Sequence, residues 1–361
     1  MTTSSELSGR VGVSSKKPSD PIDRWPTTAT GGAVFALAPM EGVSDVVVRR
    51  LLASLGGMDY CVSEFLRVTH HPLSPSTLLR HVPELSSGGR TARGVPVQVQ
   101  LLGSDPQMMA LSAQQAIELG ALAIDLNFGC PARRVNGHDG GAALLRSPSR
   151  LERVVSAVRN AVPRRIAVST KIRLGFEDPD DVYDVVRAAE NAGTDWITIH
   201  GRTKVQMYKP PADWVRIGRA TQIVRIPIVA NGDIFTRADL EVCERESNCR
   251  AFMLGRGAFR QPGLFNHLRD PTTLYPWTFD QRRALLLQFV AKTRLDARFR
   301  TPDRAALSRL KQWLREMANV DDISKAVFED LKRMQRLDDA VSFLSDFRPR
   351  HLQLPPGASR S

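Results

Sequence analysis

Ile124-Asp125-Leu126-Asn127-Phe128-Gly129-Cys130-Pro131 runs directly into Ala132-Arg133-Arg134-Val135-Asn136-Gly137-His138-Asp139-Gly140-Gly141. Ile124 and Leu126 read as the end of a short apolar strand, Pro131 keeps the loop from starting as a helix, and the glycines let the backbone hinge. A cysteine therefore stands where a strand empties into a glycine-rich loop, from which a thiol can approach and leave a bound molecule. A small residue packed at a strand end carries the same local signature, so the surrounding chain has to separate the two readings.

Moving outward, the same unit recurs. Short β-branched or apolar runs at 33–38, 58–63, 96–101, 122–127, 166–172, 195–199, 226–230 and 251–254 predict eight strands. The intervening segments, among them Pro106 to Leu119, Leu151 to Ala161, Asp180 to Ala192 and Arg237 to Arg245, repeat apolar residues at helical intervals. Eight alternations of strand and helix predict a parallel (β/α)8 TIM barrel. In such a barrel the chemistry sits past the strand C-termini, and the polar residues gather there. Successive strands run into Ala38-Pro39-Met40-Glu41-Gly42, Ser63-Glu64-Phe65-Leu66-Arg67, Gln100, Asn127 with Cys130, Lys171 with Arg173, His200-Gly201-Arg202-Thr203, Asn231-Gly232-Asp233 and Gly255-Arg256-Gly257.

Composition narrows the class. The 361 residues, 42% of them hydrophobic, suffice for one barrel with an appendage, and no apolar run approaches the roughly 18 residues of a membrane span. Met1 to Arg10 lacks the apolar core of a secretory signal, and Glu6, Asp20 and Asp23 interrupt the basic character of a transit peptide. Residues 1–32, rich in Ser, Thr, Gly and Pro, predict a disordered tail. Cys61, Cys130, Cys243 and Cys249 form no C-x-x-C pair, which predicts no metal site and a reducing cytoplasm.

The net charge of +12 favours a polyanionic partner. After about Tyr275 the strand pattern stops, so a barrel domain over 33–274 is expected, followed over 275–361 by a helical domain with a disordered end. Between Asp280 and Arg315, ten Lys or Arg face three Asp, a local excess of +7. Leu310, Trp313, Leu314 and Met317 make an apolar stripe flanked by Arg309 and Lys311. Trp313 suits core packing as well as base stacking; the flanking cations suggest a phosphate-tracking surface.

Taken in order, Ala38-Pro39-Met40, Val99-Gln100-Leu101, Asp125-Leu126-Asn127 with Gly129-Cys130-Pro131, Lys171-Ile172-Arg173-Leu174-Gly175, His200-Gly201-Arg202-Thr203, Asn231-Gly232-Asp233 and Gly255-Arg256-Gly257 resemble the motif series of the flavin-dependent tRNA-dihydrouridine synthases. The resemblance covers roughly residues 34–347. Glu64-Phe65-Leu66-Arg67-Val68 and Arg309-Leu310-Lys311-Gln312-Trp313-Leu314 resemble the bacterial C-type subgroup in particular.

That resemblance implies reduction of the C5=C6 bond of a D-loop uridine, at position 16 in the subgroup, with FMN as cofactor, NADPH as reductant and tRNA as partner. Cys130 matches the proton donor; an ordinary thiol, with a pKa of about 8.5, is mostly protonated at neutral pH. Ala38, Pro39, Met40, Gln100, Lys171 and His200 match positions that hold the flavin ring and ribityl chain. Asn231, Gly232, Asp233, Gly255 and Arg256 follow strands seven and eight, where barrels commonly bind phosphate. Asn127 and Arg173 match contacts to the extruded uracil, and Arg67, Arg309, Lys311, Gln312 and Trp313 match positions that orient the tRNA. A target stacked in folded RNA has to be flipped out to reach a barrel mouth. No G-x-G-x-x-G follows a strand, so no separate nicotinamide domain is expected. A monomer is expected from length and fold. The residues also accommodate another FMN-dependent barrel reductase, a non-catalytic tRNA-binding or tRNA-folding protein, or a barrel serving as an interaction scaffold.

Overall fold

Parallel strands cannot be joined by tight turns and need a crossover, usually a helix. The chain supplies one after nearly every strand. The structure, a computed structural model, describes residues 32–136 and 140–348. The expected tail (Gly32 apart), Gly137-His138-Asp139 of the cysteine loop and the expected C-terminal end lie outside the described residues.

The strands are β1 (Val34–Leu37), β2 (Tyr60–Val62), β3 (Leu66–Arg67), β4 (Val97–Leu102), β5 (Ala123–Asn127), β6 (Ala167–Arg173), β7 (Trp196–His200), β8 (Ile228–Asn231) and β9 (Ala251–Leu254). β1 pairs with both β2 and β9, and β2 pairs with β4, so eight parallel strands close into a barrel. These are the eight strands expected, with ends displaced by at most two residues. The two-residue β3, paired with β4 through Leu66 and Leu101, was not foreseen because so short a segment shows no alternation.

Alternation within the strands decides what fills the barrel. Val34, Ala36, Tyr60, Val62, Trp196, Val229, Ala251 and Met253 form one buried apolar cluster. Gln98, Gln100, Asp125, Ser169 and Thr198, all buried, make the neighbouring interior polar. The register sets Gln100 opposite Asp125, Asp125 opposite Ser169, Asn127 opposite Lys171, and Arg173 opposite His200. A second and larger apolar cluster lies between the barrel and its helices.

The helical part comprises Phe279–Arg294, Pro302–Met317, Asp322–Leu331 and Leu337–Asp346. Thr278 and Gln281 form a capping box at the first start, Pro302 opens the second helix, and Asp321 accepts from Ser324 N at the third. Leu310, Trp313, Leu314 and Met317 are buried as the stripe predicts. Trp313 lies 5.0 Å from the Phe259 ring and 4.8 Å from the Phe289 ring, and its Nε1 donates to Phe259 O at 3.0 Å. Phe259 belongs to the short helix after β9, so barrel and helical part share one continuous apolar cluster. Among the described residues no helix is long and apolar enough to cross a membrane.

Candidate active site

At the C-terminal mouth of the barrel the strand ends surround a cavity of about 570 Å³. β1 leads into Ala38, Pro39 and Met40 on one wall; β5 and its loop bring Asn127 and Cys130. Lys171 and Arg173 come from β6 and His200 from β7. Asn231, Gly232 and Asp233 follow β8, and Gly255 and Arg256 follow β9. Residues more than 200 positions apart thus converge as the strand-end pattern predicts.

Electrostatics gives each group a protonation state. Burial pushes the Cys130 thiol above its ordinary value, with the Ala132 N–H and Arg173 partly opposing and Glu41 adding to the rise, so the thiol is neutral at pH 7. Burial, then the charge of Arg173, lowers Lys171 to about 8 against the opposing pull of Asp125. Its Nζ donates to Asn231 Oδ1 at 2.9 Å, and Asn231 Nδ2 donates to Met253 O at 2.7 Å. His200 is held well below its usual value by burial and by Arg173, Lys171, Arg202 and Arg256, so its ring is neutral. Arg202 Nη1 stands 3.2 Å from His200 Nε2. A guanidinium only donates, so Nε2 accepts and the ring proton belongs on Nδ1.

Glycine is required where the wall is tight. Gly232 has φ of +126°, and a Cβ there would stand 3.0 Å from both Ala212 Cβ and His200 Cδ2. Arg173 closes the other side: Nε donates to Gly129 O at 2.8 Å, and Nη1 donates to Thr203 O at 3.1 Å and Met207 O at 2.8 Å. Asp233 turns its carboxylate toward Arg202 and Arg256, the latter at 3.2 Å, and so offsets part of the positive charge there.

Several expected positions lie outside the cavity wall. Gln100 is buried beneath the wall, donating to Asp125 Oδ2 at 2.6 Å and accepting from Asn127 Nδ2 at 2.9 Å. Trp313 is 2% exposed, so it packs and cannot stack on a base. Arg309 pairs with Asp45, and Lys311 Nζ donates to Met334 O at 2.6 Å, so part of the donor capacity of each is used within the protein. The acids that occupy the helical cations include Asp45, Asp321 and Asp338, all outside the stretch from 280 to 315. A charge count over a short window misses such long-range partners. Gln312 is exposed, and Arg67 is half-buried on β3 near the cavity-lining Phe65. Lys292, Arg300, Arg304 and Arg315 are exposed and form no ion pair among the described residues.

Other wall residues were missed. Tyr208 is half exposed in the loop after β7, with Arg173 at 5.3 Å and Arg256 at 5.4 Å from its ring centre. Glu316 reaches the wall from helix Pro302–Met317 and pairs with Arg260 at 3.3 Å. Tyr208 sits in a loop without period, and Glu316, although on the periodic helix Pro302–Met317, lies beside its apolar stripe, so no sequence pattern pointed to either.

Residues 36–347 match the family described as Dihydrouridine synthase (Dus). A protein of Pseudomonas putida described as tRNA-dihydrouridine(16) synthase is 42% identical over 304 residues, covering 83% of this chain and 92% of that protein. Proteins with the same description from Aquipseudomonas alcaligenes and Neisseria meningitidis serogroup A are 42% and 38% identical, covering 85% and 90% of this chain and 98% of each relative. Among solved structures, histamine dehydrogenase from Rhizobium sp. 4-9 superposes with a TM-score of 0.52 at 12% identity over 72% of this chain. This chain spans about half (49%) of that structure, and the likeness concerns the fold alone.

Proposed function

The chain belongs to the dihydrouridine synthase family, and on that premise we propose that it reduces the C5=C6 bond of uridine 16 in the tRNA D-loop, using FMN with NADPH as the electron donor. The observation that carries this reading is the convergence of Cys130, Asn127, Lys171, Arg173 and His200 on one cavity at the barrel mouth.

The donor set fits a flavin phosphate and a ring that gains negative charge. Arg256 and the uncapped start of the helix Arg256–Arg260 offer donors to an anion, and Gly255 keeps the wall open beside Met40, where a Cβ would stand 3.3 Å from the sulfur. Lys171 offers positive charge, and His200 is neutral with a donor at Nδ1. Ala38, Pro39 and Met40 supply an apolar wall for the ring; Asn231, Gly232 and Asp233 shape the phosphate end. A reduced flavin held by these residues would supply hydride to one carbon of the pyrimidine.

Cys130 holds the proton for the other carbon. Its neutral thiol is the required form, since a thiolate has no proton to give. Asn127 and Arg173 face the space beside it and orient the extruded base. We assign residues 33–274 to catalysis and 275–361 to tRNA docking, with Gln312, Arg67 and the unpaired helical cations on the docking side. The enzyme acts as a single copy in the cytoplasm, and NADPH uses the same open mouth as the RNA in a separate half-reaction.

The test is twofold. The purified protein should be yellow and release FMN on denaturation, and tRNA from a deletion strain should lack dihydrouridine at position 16 alone. Unchanged tRNA would refute the activity, and loss at another position would refute the site assignment.

A further inference from the structure

Asp125 is buried inside the barrel at 1% exposure and does not line the cavity. A carboxylate so placed is costly unless its oxygens are hydrogen-bonded. Oδ2 accepts from Gln100 Nε2 at 2.6 Å, and Oδ1 accepts from the Ser169 hydroxyl, which in turn accepts from Gln98 Nε2 at 2.6 Å. From Gln100 a chain runs toward the mouth. Gln100 Oε1 accepts from Asn127 Nδ2 at 2.9 Å, and Asn127 Oδ1 accepts from the backbone N–H of Gly129 at 3.0 Å and of Cys130 at 2.9 Å.

The direction of this chain is forced. An ionised carboxylate only accepts, so Gln100 must turn its NH2 inward and its oxygen outward. Asn127 must then turn its NH2 toward Gln100 and its oxygen toward the cysteine loop. An amide flipped at either position would set NH2 against N–H, or oxygen against oxygen, at hydrogen-bond distance. Burial raises Asp125 to about 6, while Gln100, Ser169 and Lys171 restrain the rise, so the ionised form prevails at pH 7. The titratable groups facing it are Lys171 on β6 and Tyr60 on β2.

We propose that Asp125 is a positioning residue for the reaction: acting through Gln100, it fixes the amide orientation of Asn127 and thereby the seat of the Cys130 loop. The inference rests on the reading of Cys130 as proton donor, but its geometric part can be measured without any turnover.

The test compares the flavin-loaded parent, D125A and D125N. Iodoacetamide alkylation of Cys130 in the folded protein, read by mass spectrometry, reports the seat of the loop, because Cys130 is 8% exposed and the other three cysteines are 0–3% exposed. D125A, which leaves Gln100 free to flip, should alkylate several-fold faster, and D125N, which keeps one oxygen for Gln100, should fall between it and the parent. Single-turnover uridine reduction should drop roughly 10- to 100-fold in D125A, the range expected for a misplaced reacting group. D125N should recover part of that loss, with flavin content and tRNA affinity unchanged in both. Parental alkylation and turnover in a flavin-retaining D125A would overturn the proposal. If D125A does not fold, alkylation of D125N at the parental rate overturns it. Faster alkylation in the variants beside a parent that never reduces uridine would leave the positioning chain standing and refute the proposed activity instead.

Discussion

Asp45 accepts from Arg309, 264 residues later in the chain, while capping the barrel helix Val46–Leu55 through Val47 N at 3.1 Å and Val48 N at 3.2 Å. Arg298 joins the same carboxylate at 2.5 Å. One acid thus ties the helical part to the mouth of the barrel.

Asp45→Ala should therefore destabilise the whole protein, by about 3–5 kcal/mol if the two arginines stay buried without it. Urea unfolding read by fluorescence and by flavin release should show a single earlier transition. The pH dependence has a definite sign. Burial alone would raise the Asp45 carboxyl, but the Arg309 hydrogen bond and the charges of Arg309 and Arg298 hold it below its ordinary value. Its contribution is then fully present above the unfolded value of about 4 and disappears as pH falls through the lower folded value. A variant as stable as the parent at pH 7 would show that the two arginines find other partners.

Cys130→Ala should keep its flavin and accept electrons from NADPH, yet reduce uridine roughly 10²- to 10⁴-fold more slowly. Single-turnover assays on unmodified tRNA measure this directly. Turnover at the parental rate would remove Cys130 from the mechanism.

Lys171→Gln should weaken flavin retention or slow flavin reduction. In the parent the lysine is charged below about pH 8 and loses its proton above it. The rate of flavin reduction should accordingly decline as pH rises through that region, and the variant should lack this limb. An identical profile in both proteins would assign the pH dependence to another group.

Gly232→Ala should impair flavin binding more than folding. The added Cβ meets His200 and Ala212 at 3.0 Å, and the backbone sits at a positive φ, a strain of about 1–3 kcal/mol at one turn. Flavin content after purification is the readout, and full occupancy would show that the turn relaxes at no cost to the site.

Alanine at Arg300, Arg304 and Arg315 should lower the slope of log tRNA affinity against log salt by about two units if these exposed cations meet phosphates. Arg309→Ala should leave that slope near the parental value and act on stability instead. A reversed outcome would return Arg309 to the RNA interface.

The strands were legible because each is a short apolar run between helical segments, and the site was legible because polar residues recur where each run stops. Alternation could have exposed Asp125 as well: it stands two residues before Asn127, so both point into the barrel. What stayed hidden depends on contacts between distant residues. The Asp45 partner of Arg309, the enclosure of Trp313 by Phe259 and Phe289, and the Asp125 and Asn127 bonds of Gln100 all join residues far apart in the chain, which periodicity does not register.

The indole of Trp313, enclosed by Phe259 of a barrel helix and Phe289 of the helical part, packs the two against each other. Glu316, three residues on, is carried into the cavity wall by the same helix. If the two move as one, deformation falls to the guest, which has to unstack its base to deliver it. Selection among RNAs should then follow how easily each loop yields, and softening a D-loop should raise turnover.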